Sequence, residues 1–160
     1  MMNVQIIAVG KLKESYLREA AAEYQKRLAA YCTFKITEIP EEKLPDNPRP
    51  ADIVRGLERE GRRILERIGK GAYVAALCIE GKQISSEGLA GLIADAGTGG
   101  VSGMDFIIGG SFGLSDEVKN RADMRLSMSA MTFPHQLARV MLCEQIYRAF
   151  SIMNGGKYHK

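Results

Sequence analysis

The stretch LSMSAMTFPHQLARVMLCEQIYRAF places Pro134, His135 and Arg139 at the start of the most apolar helical segment of the chain. It reads as a strand end, a tight polar loop and a long helix, with Pro134 in the first turn, where its missing N–H costs nothing. His135 also falls in that turn, where the positive end of the helix dipole favours a neutral imidazole able to accept a proton or a hydrogen bond. A histidine that merely hydrogen-bonds a loop fits the position equally well. Cys143 lies two turns further along with nothing to activate it, and reads as a buried structural thiol rather than as the nucleophile of a hydrolase. The chain ends NGGKYHK. Tyr158, His159 and Lys160 follow two glycines that read as a hinge. The composition suits a mobile tail, and also a nucleic-acid contact in which cations meet phosphate and rings stack on an unpaired base.

In α/β sheets, ligands gather beyond the carboxyl ends of the strands. Three such ends are small, glycine-rich or hydroxyl-bearing: Glu80-Gly81-Lys82, Gly109-Gly110-Ser111-Phe112-Gly113, and Ser127 to Thr132. Any one alone is what a tight turn needs, but three in one half of a sheet point to a ligand pocket. The sequence lacks a phosphate-binding G-x-x-x-x-G-K-[ST], a dinucleotide-binding G-x-G-x-x-G after the first strand and a G-x-S-x-G nucleophile elbow. With two histidines and three cysteines, none in a C-x-x-C pair, the supply of metal ligands is thin and no metal is expected. The odd, scattered cysteines (Cys32, Cys78, Cys143) predict a reducing compartment, the cytoplasm.

The elements that must position these residues alternate. Buried strands are predicted at VQIIAVG, AYVAALCIEG and MDFIIGG, a one-sided strand at TFKITEI and a last strand at DMRLSMS. Helices are predicted over Glu14 to Tyr31, from Asp52 to a glycine stop, after Ser85 or Ser86, after Ser115, and after Pro134. The segment PEEKLPDNPRPAD holds four of the five prolines and reads as a mobile loop. The pattern predicts one α/β domain over residues 1–160, with a parallel sheet of about five strands covered on both faces. Hydrophobic residues are 46% and charged residues 26% of the chain, and no apolar run reaches the roughly 20 residues that span a bilayer. A net charge of +3 permits nucleic acid as a partner without demanding it. The last helix is apolar around most of its circumference. That predicts either burial between other helices of the chain or packing against a second copy across a two-fold axis, and the small number of other helices favours the copy.

FIIGGSFGLS, LSMSAMTFPHQLARVMLCEQIYRAFSI and the terminal YHK resemble the RlmH family of SPOUT-superfamily methyltransferases, and the resemblance runs the length of the chain. It implies a fold that periodicity does not reveal: a parallel sheet sandwiched by helices with a C-terminal trefoil knot, an exception to the rule against threading. It implies S-adenosylmethionine (SAM) as cofactor and methylation of N3 of a pseudouridine in helix 69 of 23S ribosomal RNA. The modest charge favours an assembled ribosome over free RNA as substrate. Cofactor contacts are implied at Leu77, Gly109, Met128, Ser129, Ala130, Met131, Thr132 and Phe133. Cys78 stands where relatives often carry an acid, and Ser111 and Phe112 receive no role. A homodimer through the last helix is implied, each site being completed by the partner's tail. The catalytic residues expected are His135 or His159 as base, Arg139 to steady the imide charge or grip a phosphate, and Tyr158 to stack on the target base. The competing expectation is a non-catalytic α/β module that binds RNA or a nucleotide.

Overall fold

The apolar run after Asn3 becomes the strand around which the sheet is built. In the computed structural model, which describes residues 1–160, β1 (Asn3–Val9) pairs in parallel with β2 (Thr33–Ile39) on one side and β4 (Gly103–Ile108) on the other. β3 (Tyr73–Gln83) and β5 (Met124–Ser127) complete the order β2-β1-β4-β3-β5, every pairing parallel. Central strands covered on both faces have no wet side, hence their largely apolar runs, broken in β1 and β4 by the buried Gln5 and Asp105; β2, at the edge, is the one that alternates.

Alternate residues of each strand feed two cores. Val4, Ile6 and Ala8 of β1 join Met104 and Phe106 of β4 under α1 (Ser15–Leu28), α3 (Ser86–Thr98) and α5 (His135–Met153). Ile7 and Val9 join Val74, Ala76 and Ile107 under α2 (Pro50–Arg67) and α4 (Asp116–Arg121). Each fully buried Ile, Leu or Phe adds roughly 1.5–3 kcal/mol relative to an exposed one. Ser85 and Ser115 cap α3 and α4 by accepting from the backbone N–H of Gly88 and Val118.

Three features bear on the sequence reading. α5 lies between α1 and α3, and Leu142, Ile146, Ala149 and Phe150 are buried within the chain's own core. Most of its apolar circumference is thus covered without a second copy; Leu137 and Met153 are the large apolar residues it leaves exposed. The proline-rich segment is fastened to α2. Glu42 meets Arg63 at 2.7 Å and Arg59 at 3.2 Å, and its N–H donates to the Glu60 carboxylate at 2.8 Å. β3 does not stop before Glu80. It runs on to Gln83, with both Leu77 and Lys82 opposite Leu126, so that Cys78 to Gly81 bulge out of the ladder.

One connection carries the chain back across the sheet. β5 lies at the sheet edge beside β3, yet the head of α5 is tied to the end of β1. Gln136 Oε1 accepts from the Lys13 N–H at 2.9 Å, and Arg139 donates to the Gly10 carbonyl at 2.9 Å. Residues 128–134 therefore cross over the carboxyl ends of β3 and β4.

Candidate active site

Under that crossing lies a cleft of about 580 Å³, within the ~300–1,000 Å³ usual for small-molecule sites. Its walls come from the three strand ends picked out in the sequence. Leu77 to Glu80 arrive on the β3 bulge, Gly109 to Leu114 follow β4, and Ser127 to His135, all but Ala130, follow β5. Of the eight expected cofactor contacts, Leu77, Gly109, Met128, Ser129, Met131, Thr132 and Phe133 line the cleft; Ala130 does not.

Local chemistry shapes these walls. Ser127 donates its hydroxyl to the Ser129 carbonyl at 3.0 Å, and the Ser129 hydroxyl accepts from the Met131 N–H at 3.0 Å, closing a tight polar turn. The loop after β4 folds back through a bridge between Gly110 and Gly113. A Cβ on Gly109 would press into the backbone of Gly113, so the glycine is required by the loop's own fold as much as by any ligand. Glu80 and Lys119, paired at 2.8 Å, bring the only full charges to the walls. The hydrogen bond between them lowers the Glu80 pKa and raises that of Lys119. Neither was assigned a role from sequence; Lys119 comes from α4, and no local pattern marks it. Ile79, Phe112 and Met131 stand exposed at the mouth.

The expected catalytic residues separate. His135, the first residue of α5, lines the cleft and has no hydrogen-bond partner in the protein, with Pro134 as N-cap. Arg139, one turn on, does not line it. It is 2% exposed, meets Glu38 at 2.7 Å, and donates to the carbonyls of Gly10 and Val9. In this chain its guanidinium fastens α5 to the ends of β1 and β2.

Tyr158 and His159 lie away from the cleft of their own chain, and the glycines before them cap α5. Gly155, at φ +71°, donates to Ile152, and Gly156 donates to Ser151 at 2.8 Å, which is the two-bond αL cap that closes many helices. The tail turns back onto α5. Tyr158 donates to Glu144 at 2.8 Å and packs edge-on against Tyr147, and His159 contacts Arg148 and Glu87. Burial, ahead of the influence of Tyr24 and the hydrogen bond to Glu144, pushes the Tyr158 phenol above its usual range.

Cys143 is fully buried, and burial pushes its thiol up to about 12, which rules out a ready thiolate. Cys78 does line the cleft, and burial raises its thiol too. No three His, Cys, Asp or Glu side chains are grouped to hold a metal ion, and no helix is long and apolar enough to cross a membrane.

The fold has solved counterparts. A probable methyltransferase from Bordetella pertussis Tohama I superposes with a TM-score of 0.58 at 14% identity, covering 93% of this chain and 95% of that one. A probable methylase family protein from Haemophilus influenzae Rd KW20 gives 0.54 at 13% identity, over 99% and 71%. The family model described as "Predicted SPOUT methyltransferase" matches residues 2–159. Parallel sheet, cleft and family model together define the SPOUT class. Full-length relatives narrow it: proteins named Ribosomal RNA large subunit methyltransferase H from Clostridium novyi (strain NT) and Ligilactobacillus salivarius (strain UCC118) are 54% and 52% identical, each over 99% of this chain and 100% of its own. The chain belongs to this family, the RlmH family of SPOUT methyltransferases.

Proposed function

We propose that the protein transfers a methyl group from SAM to N3 of a pseudouridine in helix 69 of 23S ribosomal RNA, on the assembled ribosome and in the cytoplasm. The observation that carries the reading is the cleft itself. In a chain about half identical to the large-subunit methyltransferases, it is walled by seven of the eight positions expected to touch the cofactor and has a free imidazole at its edge. The cleft also fits the group. Its volume suits a nucleoside with an amino-acid arm, Leu77 and Phe133 offer apolar walls, and the Gly109 and Met128–Phe133 backbones can approach closely. SAM, when bound, supplies an activated methyl carbon.

The chain's own residues then have two tasks: to align the target nitrogen with that carbon, and to take the proton the nitrogen loses. His135 is placed for the second. Arg139 serves the site by fixing the head of α5 on which His135 stands. Tyr158 and His159 lie too far round α5 to serve their own cleft, and fit a homodimer in which each tail closes over the partner's cleft and Tyr158 stacks on the target base. Leu137 and Met141, on one face of α5, are the contact expected between copies. The crossing of residues 128–134 above β3 and β4, with α5 returning to β1, is the part of the chain that we read as the trefoil knot. No observation favours a non-catalytic nucleotide-binding module over this reading.

The test is incubation with labelled SAM and ribosomes from a strain lacking the modification, followed by mapping of the methylated nucleotide. Label at the helix 69 pseudouridine is the expected result; label elsewhere changes the substrate. SAM binding without transfer to any ribosomal RNA sinks the activity.

A further inference from the structure

We propose that Glu144 is a positioning residue for the methyl transfer: through Tyr158 and Arg148 it holds the C-terminal tail in one docked conformation. The proposal rests on the reading above, in which the tail takes part in the reaction.

Glu144 lies on α5 with its side chain 18% exposed, and it is the hub of the tail's contacts. Arg148 donates to it from Nη2 at 2.8 Å and from Nε at 3.2 Å to each oxygen. Tyr158 donates its hydroxyl at 2.8 Å, and the Gln145 amide donates at 3.0 Å. Arg148, held by this carboxylate, lies 4.7 Å from the Tyr158 ring centroid and turns Nη1 toward His159 Nδ1 at 3.1 Å. Tyr147 and Glu87 contact the tail independently of Glu144 and Arg148.

The imidazole is held at both nitrogens. His159 Nδ1 faces the Arg148 guanidinium at 3.1 Å, and Nε2 lies 2.7 Å from Glu87 Oε1, in the first turn of α3. While docked, His159 works as an anchor. That leaves His135, which has no such partners, as the imidazole available for proton transfer.

Holding the tail in advance removes an ordering cost from the encounter with RNA. Lys157 and Lys160 remain exposed on the docked tail. Without the Glu144 carboxylate, Arg148 loses its orientation and Tyr158 its acceptor, so the tail should detach more often while the cleft is unaltered.

The experiment uses the full-length protein, its Glu144→Gln and Tyr158→Phe variants, a truncation lacking Tyr158 to Lys160, and the Glu144→Gln change in that truncated chain. Three quantities are read: carboxypeptidase trimming of the tail, single-turnover methylation of ribosomes lacking the modification, and SAM affinity by calorimetry. Glu144→Gln should speed trimming about tenfold, which reports the open population, and slow methylation about 10–100-fold, with SAM affinity within about twofold of wild type. Tyr158→Phe should move trimming the same way. In the truncated chain Glu144→Gln should add nothing, because its route of action is gone. Unchanged trimming in Glu144→Gln, or an equal further loss of rate in the truncated chain, overturns the proposal. So does a truncation that methylates at the wild-type rate, and with SAM binding intact that result leaves the cleft assignment standing. Failure of wild type to methylate instead defeats the activity reading, while the trimming rates still decide whether Glu144 holds the tail.

Discussion

Arg139 and Glu38, 101 residues apart in sequence, meet at 2.7 Å and close the top of the α1/α3/α5 layer against the ends of β1 and β2. The arginine is buried while the glutamate is 41% exposed, so the pair is one-sided. Arg139 Nε has no partner, whereas its other nitrogens satisfy two backbone carbonyls and the carboxylate.

Arg139→Ala should therefore act on stability first. It strands the Gly10 and Val9 carbonyls and leaves a void; with Glu38 able to reach water, the loss should be about 2–4 kcal/mol, or roughly 5–15 °C in Tm. Glu38→Gln, which retains a neutral acceptor, should lose less than half as much. Scanning calorimetry checks both. An unchanged Tm in Arg139→Ala would return the residue to a role in gripping RNA.

The inward residues of α5 give a second test. Ile146 and Phe150 are buried at 0% and 4% exposure. Phe150→Ala should cost about 3–5 kcal/mol, and Asp at either position should unfold the chain rather than split a dimer. Leu137→Glu with Met141→Glu touches the outer face instead. Light scattering should show a monomer with the wild-type circular dichroism, and an unchanged dimer mass would place the contact elsewhere.

How much of this was legible in the sequence depends on how local the physics is. The strand-end loops were, because glycine and hydroxyl residues after an apolar run have one architectural use. The β3 bulge was not, because register is decided by Leu126, more than forty residues further on. Nor was the burial of Arg139, whose partners come from β1 and β2. The role of Gly155 and Gly156 is hidden for a different reason. Two glycines after a helix are as much a cap as a joint, and only the Ser151 and Ile152 carbonyls decide between them.

Gly109→Ala should separate folding from ligand binding. The added methyl has no room beside the Gly113 backbone, so the 109–113 loop must shift while the sheet behind it stays packed. SAM affinity should fall at least about tenfold, some 1.4 kcal/mol, with circular dichroism unchanged. Wild-type affinity would remove this loop from the cofactor site.

Glu60 predicts an unusual pH dependence. It is 7% exposed, and burial, partly offset by the Glu42 N–H, raises its pKa above the usual carboxylate value. A raised folded pKa gives stability that is complete below the unfolded value, ordinarily near 4.3, and is lost as pH rises through the folded value. Glu60→Gln keeps an acceptor for Glu42 without the buried charge. It should raise Tm at pH 7 by a few degrees, with the gain vanishing near pH 4. A variant less stable than wild type at pH 7 would mean that the charge itself, opposite Arg63, is stabilising.

His135 carries the last prediction. It lines the cleft, stands at the head of a helix that Arg139 and Gln136 pin to the end of β1, and has no protein partner for its ring. A group so placed is available to a substrate and is not needed by the fold. His135→Asn keeps polarity and approximate size but cannot take a proton at neutral pH. Stability should change by less than about 0.5 kcal/mol, as for a surface change, and SAM affinity should stay within a few-fold. The single-turnover methylation rate should fall ~10²–10⁴-fold, the usual worth of a general base. Its log rate should then rise with pH at unit slope, because the target nitrogen must lose its proton to solvent before it can react. A variant that keeps the wild-type rate would show that the nitrogen sheds its proton unaided, leaving His135 as a wall of the cleft.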